Sequence, residues 1–465
     1  MAQTTAAQWQ AWIKHRVETN QGWDDIVRGI VLAQSREPGQ PYASFASRSS
    51  TYTRRANPAD FAAEQEFLPH YWYRSNIGQP TDKALAFGYT FLGVRLQCAQ
   101  CHKHPFDQWS KQDFEQFTEF FTRIKTGTAP DAKIHHDTLM KSLGVPAKLN
   151  TAALRRQSYM RIAAEGRPIP WNEVYIDTPS AKPQMAKLLG GIEIELNNYT
   201  DPRVPLMDWL LNDPNHYLAK AFVNRIWANY FHQGIIHPTD DLNLANPPSN
   251  GPLLDYLVDG FIEQGYDVKW LHREIVSSDA YQRSWKPNAT NQLDERNFSR
   301  ALPRRLPAEV AVDAIVQATS STATISNYSK NMAVRKIGQH PRSYQARAID
   351  FSLLIFGKPL RTTNCDCERQ EEPTLLQSLY LRNDQELIAN LSRSDGWLAE
   401  LEKSKTPPEM DTMIRLAYLR TLSRNPTPKE LEDCRDHLSA SEDRFDGMQD
   451  ILWALLNTQE FITNH

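Results

Sequence analysis

Cysteine is scarce in this chain, with five in 465 residues. That is too few for a disulfide framework, and a chain this long is no small scaffold in need of one. Four of the five form close pairs, Cys98/Cys101 and Cys365/Cys367; Cys434 stands alone between Leu431 and Leu438, an ordinary helical setting. Charge of one sign is missing too. The formal net charge is −3 and the Lys and Arg residues are scattered, so there is no electrostatic footprint for nucleic acid. No run of about 18 apolar residues exists to span a membrane as a helix. Nor is there a signal peptide: Met1-Ala2-Gln3-Thr4-Thr5 reads as a trimmed start that enters a helix at once.

Aromatic residues and proline are plentiful. Twelve Trp, 17 Tyr and 18 Phe can serve core packing, carbohydrate stacking or a cofactor wall, and composition alone does not choose. Twenty-nine prolines predict many short helices on stiff connections. The length suggests two or three domains. Helical spacing is expected over 8–32, with a break at Asn20-Gln21-Gly22, and again from about Lys83 to Phe91. Residues 36–62 read as extended and irregular, pinned by Tyr42, Phe45 and Tyr52. Ser110, with Asp113 three residues on, caps a helix carrying the stripe Phe114, Phe117, Phe120, Phe121 and Ile124. Residues 126–200 are broken by proline, with short helices near 134–142 and 152–163 and a strand within 169–176. From Asp201 helical patterning resumes, with glycine at 234 and 265 closing two helices. A short extended segment over Tyr344–Ile355 and a helix over Leu375–Leu387 are expected further on. The predicted fold is mainly α, in three parts: 1–125 around a cysteine motif, 126–200 as connector, and 201–465 as a helical domain.

The sharpest chemical signal is Cys98-Ala99-Gln100-Cys101-His102, followed by Lys103-His104-Pro105-Phe106-Asp107-Gln108-Trp109. C-x-x-C-H is the attachment pattern of a c-type haem: two thiols bond the porphyrin periphery and the adjacent histidine reaches the iron. On this reading His102 is the axial ligand, and His232, His237, His272, Met185 or Met207 are candidates for the opposite face. Pro105 restrains His104, which suits it to a propionate or supporting contact. Asp107 is expected to hold the tautomer of His102 or His104. Trp109 is expected to pack on the haem edge or the cysteine turn, and the phenylalanine stripe to form core and, with haem, a porphyrin wall. A second reading gives Cys98, Cys101 and His102 or His104 to zinc or iron, completed by Cys365 and Cys367. A third is a local disulfide or free thiols.

The carboxylates point less sharply. Arg225, inside the apolar run Phe222–Tyr230, requires a carboxylate partner, and Asp208 or Asp241 is the expected supplier. Asp201, Arg203, Asp208, Asn224 and Arg225 are expected to share one polar network, structural or binding a substrate anion or sugar. Asp240-Asp241 reads as a turn or salt-bridge element. Glu193-Ile194-Glu195 alternates like a strand, with both carboxylates on one face.

The motif Gly93-Val94-Arg95-Leu96-Gln97-Cys98-Ala99-Gln100-Cys101-His102, with His104-Pro105-Phe106-Asp107 and Trp109, resembles the planctomycete cytochrome-C-like domain of unknown function (PSCyt type). The second half resembles its usual C-terminal partner (PSD type). It does so through Asp201-Pro202-Arg203, Asp208-Trp209, Val223-Asn224-Arg225-Ile226-Trp227, Phe231-His232-Gln233-Gly234-Ile235, Asp240-Asp241, Arg304-Arg305-Leu306, Cys367-Glu368-Arg369, Leu376-Gln377 and Asn383. The resemblance implies a large exported protein, often preceded by another cytochrome-like domain, and no established activity. Three functions are therefore carried forward. One is an exported haem redox protein passing electrons to a redox partner or supporting oxidation of polymer-derived material. Another is a non-haem zinc or iron protein, a hydrolase on such material. The last is a scaffold that the cysteine motif only stabilises. No nucleic acid and no membrane span enter any of them.

Overall fold

The structure is a computed structural model that describes residues 6–68, 71–74, 76–145, 152–323, 325, 355–357, 388–389 and 391–464. The expected segment 344–355 falls almost wholly outside the described residues; the helix over 375–387 lies outside them entirely, as do Cys365 and Cys367. What is described is mainly helical, and its strands form three two-stranded antiparallel ribbons. The chain divides into two compact units. The first holds 6–283 with Leu293–Ser299; the second holds Ser284–Gln292 and the described residues from 300 on. By packing, the break between these two units falls near Arg283.

The first unit opens with α1 (Ala6–Glu18) and α2 (Trp23–Val31), separated at the predicted break, where Asn20 takes a left-handed φ of 59°. Residues 42–51, expected to be extended, form a helix, α3 (Tyr42–Thr51). Its buried positions Tyr42, Phe45, Ala46 and Ser50 follow helical spacing and pack with Ile169 and Trp171. The serines masked that pattern, because Ser50 is buried as a polar partner: Trp171 Nε1 donates to its hydroxyl at 3.0 Å. After α4 (Phe61–Glu64) comes α5 (Pro80–Phe87), which widens into a π-helical turn at Gly88–Leu92 and stops at Gly93, φ 64°.

α6 (Lys111–Thr118) begins with the predicted capping box: Asp113 N–H donates to Ser110 Oγ at 3.1 Å, and Ser110 N–H donates to Asp113 Oδ2 at 2.9 Å. Phe114, Phe117, Phe120 and Phe121 are all buried, packed against Trp72, Phe87 and Phe91 in the main core. The connector holds β1 (Ile124–Gly127), α7 (Lys133–Ser142), α8 (Ala152–Ala164) and β2 (Glu173–Ile176), with Ile124 paired to Ile176. β3 (Met185–Lys187) pairs with β4 (Glu193–Glu195). α9 (Arg203–Asn212), α10 (Tyr217–Phe231), α11 (Gly251–Glu263) and α12 (Val268–Val276) complete this unit's helices, α10 lying against both α11 and the π-helical turn. α10 ends one turn before the expected glycine: His232 takes the left-handed position, φ 69°. Gly234 has a different task, since a Cβ there would sit 2.2 Å from the Ile236 carbonyl oxygen and 2.8 Å from the Asn224 amide.

The second unit has its own core. It is built from α13 (Ala308–Thr319), α14 (Trp397–Glu402), α15 (Met410–Leu422), α16 (Pro428–Ala440), α17 (Arg444–Leu456) and α18 (Gln459–Ile462). β5 (Arg304–Arg305) pairs with β6 (Thr463–Asn464). α16 starts on a Thr427-Pro428-Lys429-Glu430 capping box, and Cys434 lies on it, half-buried between Leu431 and Leu438. No described helix is long and apolar enough to cross a membrane.

Candidate functional site

The cysteine motif lies a few residues beyond the π-helical turn. Gln97–Gln100 form a single 3-10 turn, and Cys101 and His102 N–H both donate to the Cys98 carbonyl, at 3.4 and 3.3 Å. Cys98 lies in this turn and Cys101 caps its end. Cys98, Cys101 and His102 are all exposed, while Ala99 between them is buried and anchors the turn. His102 Nδ1 lies 2.7 Å from the Lys103 carbonyl oxygen. A carbonyl only accepts, so Nδ1 carries the proton and Nε2 is left as the lone-pair nitrogen.

The following loop is closed by His104 N–H donating to the Trp109 carbonyl at 2.7 Å. The buried His104 ring accepts the Phe106 N–H on Nδ1 at 3.3 Å, which puts its proton on Nε2. Backbone groups therefore hold both rings, in place of the expected Asp107. The Asp107 carboxylate instead accepts the N–H of Gln108 at 2.8 Å. Burial raises its pKa, against the pull of that N–H and of the nearby His104 and Trp109 side chains; Asp241 pushes it further up. The Trp109 ring is buried in the main core, its indole N–H without a partner of good hydrogen-bond geometry, and the Gly190 turn between β3 and β4 lies against it. Phe106 is the exposed aromatic of the loop, at 60%.

The loop after α10 lies beside the motif. Leu242 N–H donates to the Gly93 carbonyl at 2.9 Å, and Arg95 Nε donates to the Asp240 carbonyl at 3.3 Å. Burial raises the Tyr89 hydroxyl; Arg95 opposes the shift, while Asp241, Asp240 and Cys98 add to it. Tyr217 is pushed up to about 12, by burial and by Asp107 and Asp213. The thiol turn, Tyr89, Arg95, Asp107, Tyr217 and Asp241 thus form one neighbourhood. Its contribution from 217–241 was not legible in the sequence.

The expected single polar network is two. Arg203 is fully buried and donates to the carbonyls of Val31 (2.9 Å), Leu32 (3.1 Å) and Ala33 (2.8 Å) at the end of α2, with Asp201 as its counter-ion. Arg225 pairs with Asp240 at 2.7 Å, rather than with Asp208 or Asp241, and donates to the carbonyls of Thr90 (2.6 Å) and Tyr89. Asn224 holds the loop by donating to the Ile236 carbonyl at 2.8 Å and accepting the Ile236 N–H at 2.9 Å. Asp208 is exposed on α9. Glu193 accepts from Gln116 at 2.9 Å on the expected strand.

Residues 202–438 match the family described as PSD1, Protein of unknown function (DUF1553). The chain belongs to this family. Residues 1–126 match a second description, PSCyt2, Protein of unknown function (DUF1549), and the pair is the planctomycete arrangement of a PSCyt segment fused to a PSD segment. No curated protein and no solved structure matches the chain. The motif lies in the PSCyt2 segment; Asn224, Arg225, Asp240 and Asp241 lie in the PSD1 segment, which runs through both compact units.

The donor set fits attachment of a haem: two exposed thiols three residues apart and a histidine presenting Nε2. The phenylalanine stripe does not serve as its wall, because Phe117, Phe120 and Phe121 are completely covered. Of the candidates for the opposite face, Met207 is buried in the core and His272 Nδ1 is engaged with the Tyr230 hydroxyl at 2.6 Å. Met185 borders a polar groove with Glu119, Asp177 and Lys182. His237 is exposed on the loop that hydrogen-bonds to Gly93, and His232 sits at the end of α10.

Proposed function

We propose that the protein is an exported c-type haem redox protein in which Cys98 and Cys101 carry the haem and His102 is its axial ligand. One observation carries this reading. The motif gathers two thiols and an imidazole within five residues, on and just after one short turn, and leaves all three exposed. A lone zinc or iron ion needs its donors to converge on one point. A c-type haem does not, because its thiols bond the porphyrin edge and only the histidine reaches iron. Bound there, the haem would supply one-electron exchange. The chain's own residues hold the turn, fix the His102 tautomer and leave Phe106 beside it as an exposed apolar contact. A redox partner, or an oxidation of polymer-derived material, is the use that suits an exported member of this arrangement.

The test is a visible spectrum of protein made in an exporting host with haem-maturation machinery. A Soret band that stays with the denatured chain, and is lost in Cys98→Ala/Cys101→Ala, is expected. A colourless chain with one zinc or iron would overturn the haem reading and turn attention to Cys365 and Cys367 as co-ligands. A mass two hydrogens low, with no metal, would identify a disulfide instead.

A further inference from the structure

We propose that Arg225, in the PSD1 segment, is a positioning residue for the cysteine turn in the PSCyt2 segment. α5 and its π-helical turn end at Leu92, and only residues 93–96 separate that end from the 3-10 turn bearing the thiols. The direction in which the helix end points therefore sets how the thiols are presented. The last carbonyls of a helix have no intrahelical donors. Here Arg225 takes those of Tyr89 and Thr90 with the two arms of its fork, while its Nε holds Asp240. The Asp240 carbonyl in turn accepts from Arg95, and Leu242 N–H donates to Gly93. The result is a closed ring: helix end, Arg225, Asp240, Arg95, and back to the cysteine turn. Gly93 permits the close approach, since a Cβ there would stand 3.0 Å from that of Ala221 on α10 and 3.1 Å from Leu242. This gives the two family segments a physical reason to be fused. The inference deepens the haem reading and rests on it for its biological purpose, but its test does not need haem.

The experiment uses the reduced, haem-free full chain with Cys365→Ser/Cys367→Ser, so that one close dithiol remains. The probe is phenylarsine oxide, whose trivalent arsenic bonds two neighbouring thiolates together; a monofunctional maleimide reports simple exposure. Arg225→Ala is expected to weaken arsenical affinity by about tenfold, the usual scale for a residue that orients a ligand from behind it, with the maleimide rate unchanged. Asp240→Ala should weaken it in the same direction, and Arg225→Lys should recover part of the loss by restoring the charge but not the fork. Arg203→Ala, which removes an equally structural arginine from a different helix end, should bind as the parent does. Parent-like affinity in both folded Arg225→Ala and Asp240→Ala would overturn the proposal. So would an equal loss in Arg203→Ala, which would mean general loosening, or failure of the parent to bridge the arsenic. Absence of a Soret band would remove the haem reading while leaving these affinities as they are.

Discussion

Two kinds of polar group stand in contrast within the first unit. Its arginine clamps are turned inward and satisfied. Arg16 donates to the carbonyls of Ala62, Gln65 and Glu66 and stacks on Trp12. Arg123 donates to those of Asp177, Tyr199 and Thr200, and Arg203 and Arg225 hold helix ends. The cysteine turn is the opposite: Cys98, Cys101 and His102 are exposed, and among the described residues the His102 ring hydrogen-bonds only to its neighbour's carbonyl. Burying a charged group is costly unless it is paired, so a buried arginine has to be spent on structure. A thiol left on the surface contributes little to folding. The difference divides the work: the clamps keep the fold, and the turn leaves its thiols and imidazole open to solvent.

Substitutions can break this contrast. Phe117→Ala, under the motif, should cost about 3–5 kcal/mol by urea unfolding, because Phe117 is fully buried among other aromatics. Arg203→Ala should cost a similar ~3–5 kcal/mol, since it strands Asp201 and three carbonyls at the end of α2; a loss under 1 kcal/mol would show that solvent replaces the clamp. Ser110→Ala should cost about 1 kcal/mol, the usual value of an N-cap. In the haem-free chain, Cys98→Ala/Cys101→Ala should change stability by no more than about 0.5 kcal/mol. A loss of 2 kcal/mol would place the thiols on the structural side and erase the distinction.

The capping box also sharpens it through pH. Burial tends to raise the Asp113 carboxyl, but Lys187 at 2.7 Å and the Ser110 hydroxyl and N–H outweigh it and bring the pKa from 3.8 down to about 2. A carboxyl whose folded pKa is depressed stabilises fully above its unfolded pKa. That contribution is lost as pH falls through the folded value. Stability should therefore decline between about pH 4 and 2, and Asp113→Asn should flatten that part of the profile in acid titrations followed by circular dichroism. An unchanged acid limb would assign the decline to other carboxylates.

Local signals proved readable wherever one stretch of chain carries its own cause. The capping box at Ser110, the break at Asn20, the strand at 173–176 and the burial of the phenylalanine stripe all follow from neighbours within a turn or two. Residues 42–51 misled because serine hides a helical stripe when a hydroxyl is buried as an acceptor. The end of α10 misled because Gly234 marks a close approach to Asn224 and not a helix cap.

The sequence by itself determined the mainly helical class and the gathering of Cys98, Cys101 and His102 at one short turn: both depend on residue types at short spacing. Only the tertiary structure decided what faces the motif. Arg225 was expected to reach Asp208 or Asp241, but it reaches Asp240 and the carbonyls of residues some 135 positions earlier. Every residue offers the same carbonyl, so an arginine that seeks one has no partner written in the sequence. Its acceptors are chosen by which helix end the fold brings within reach.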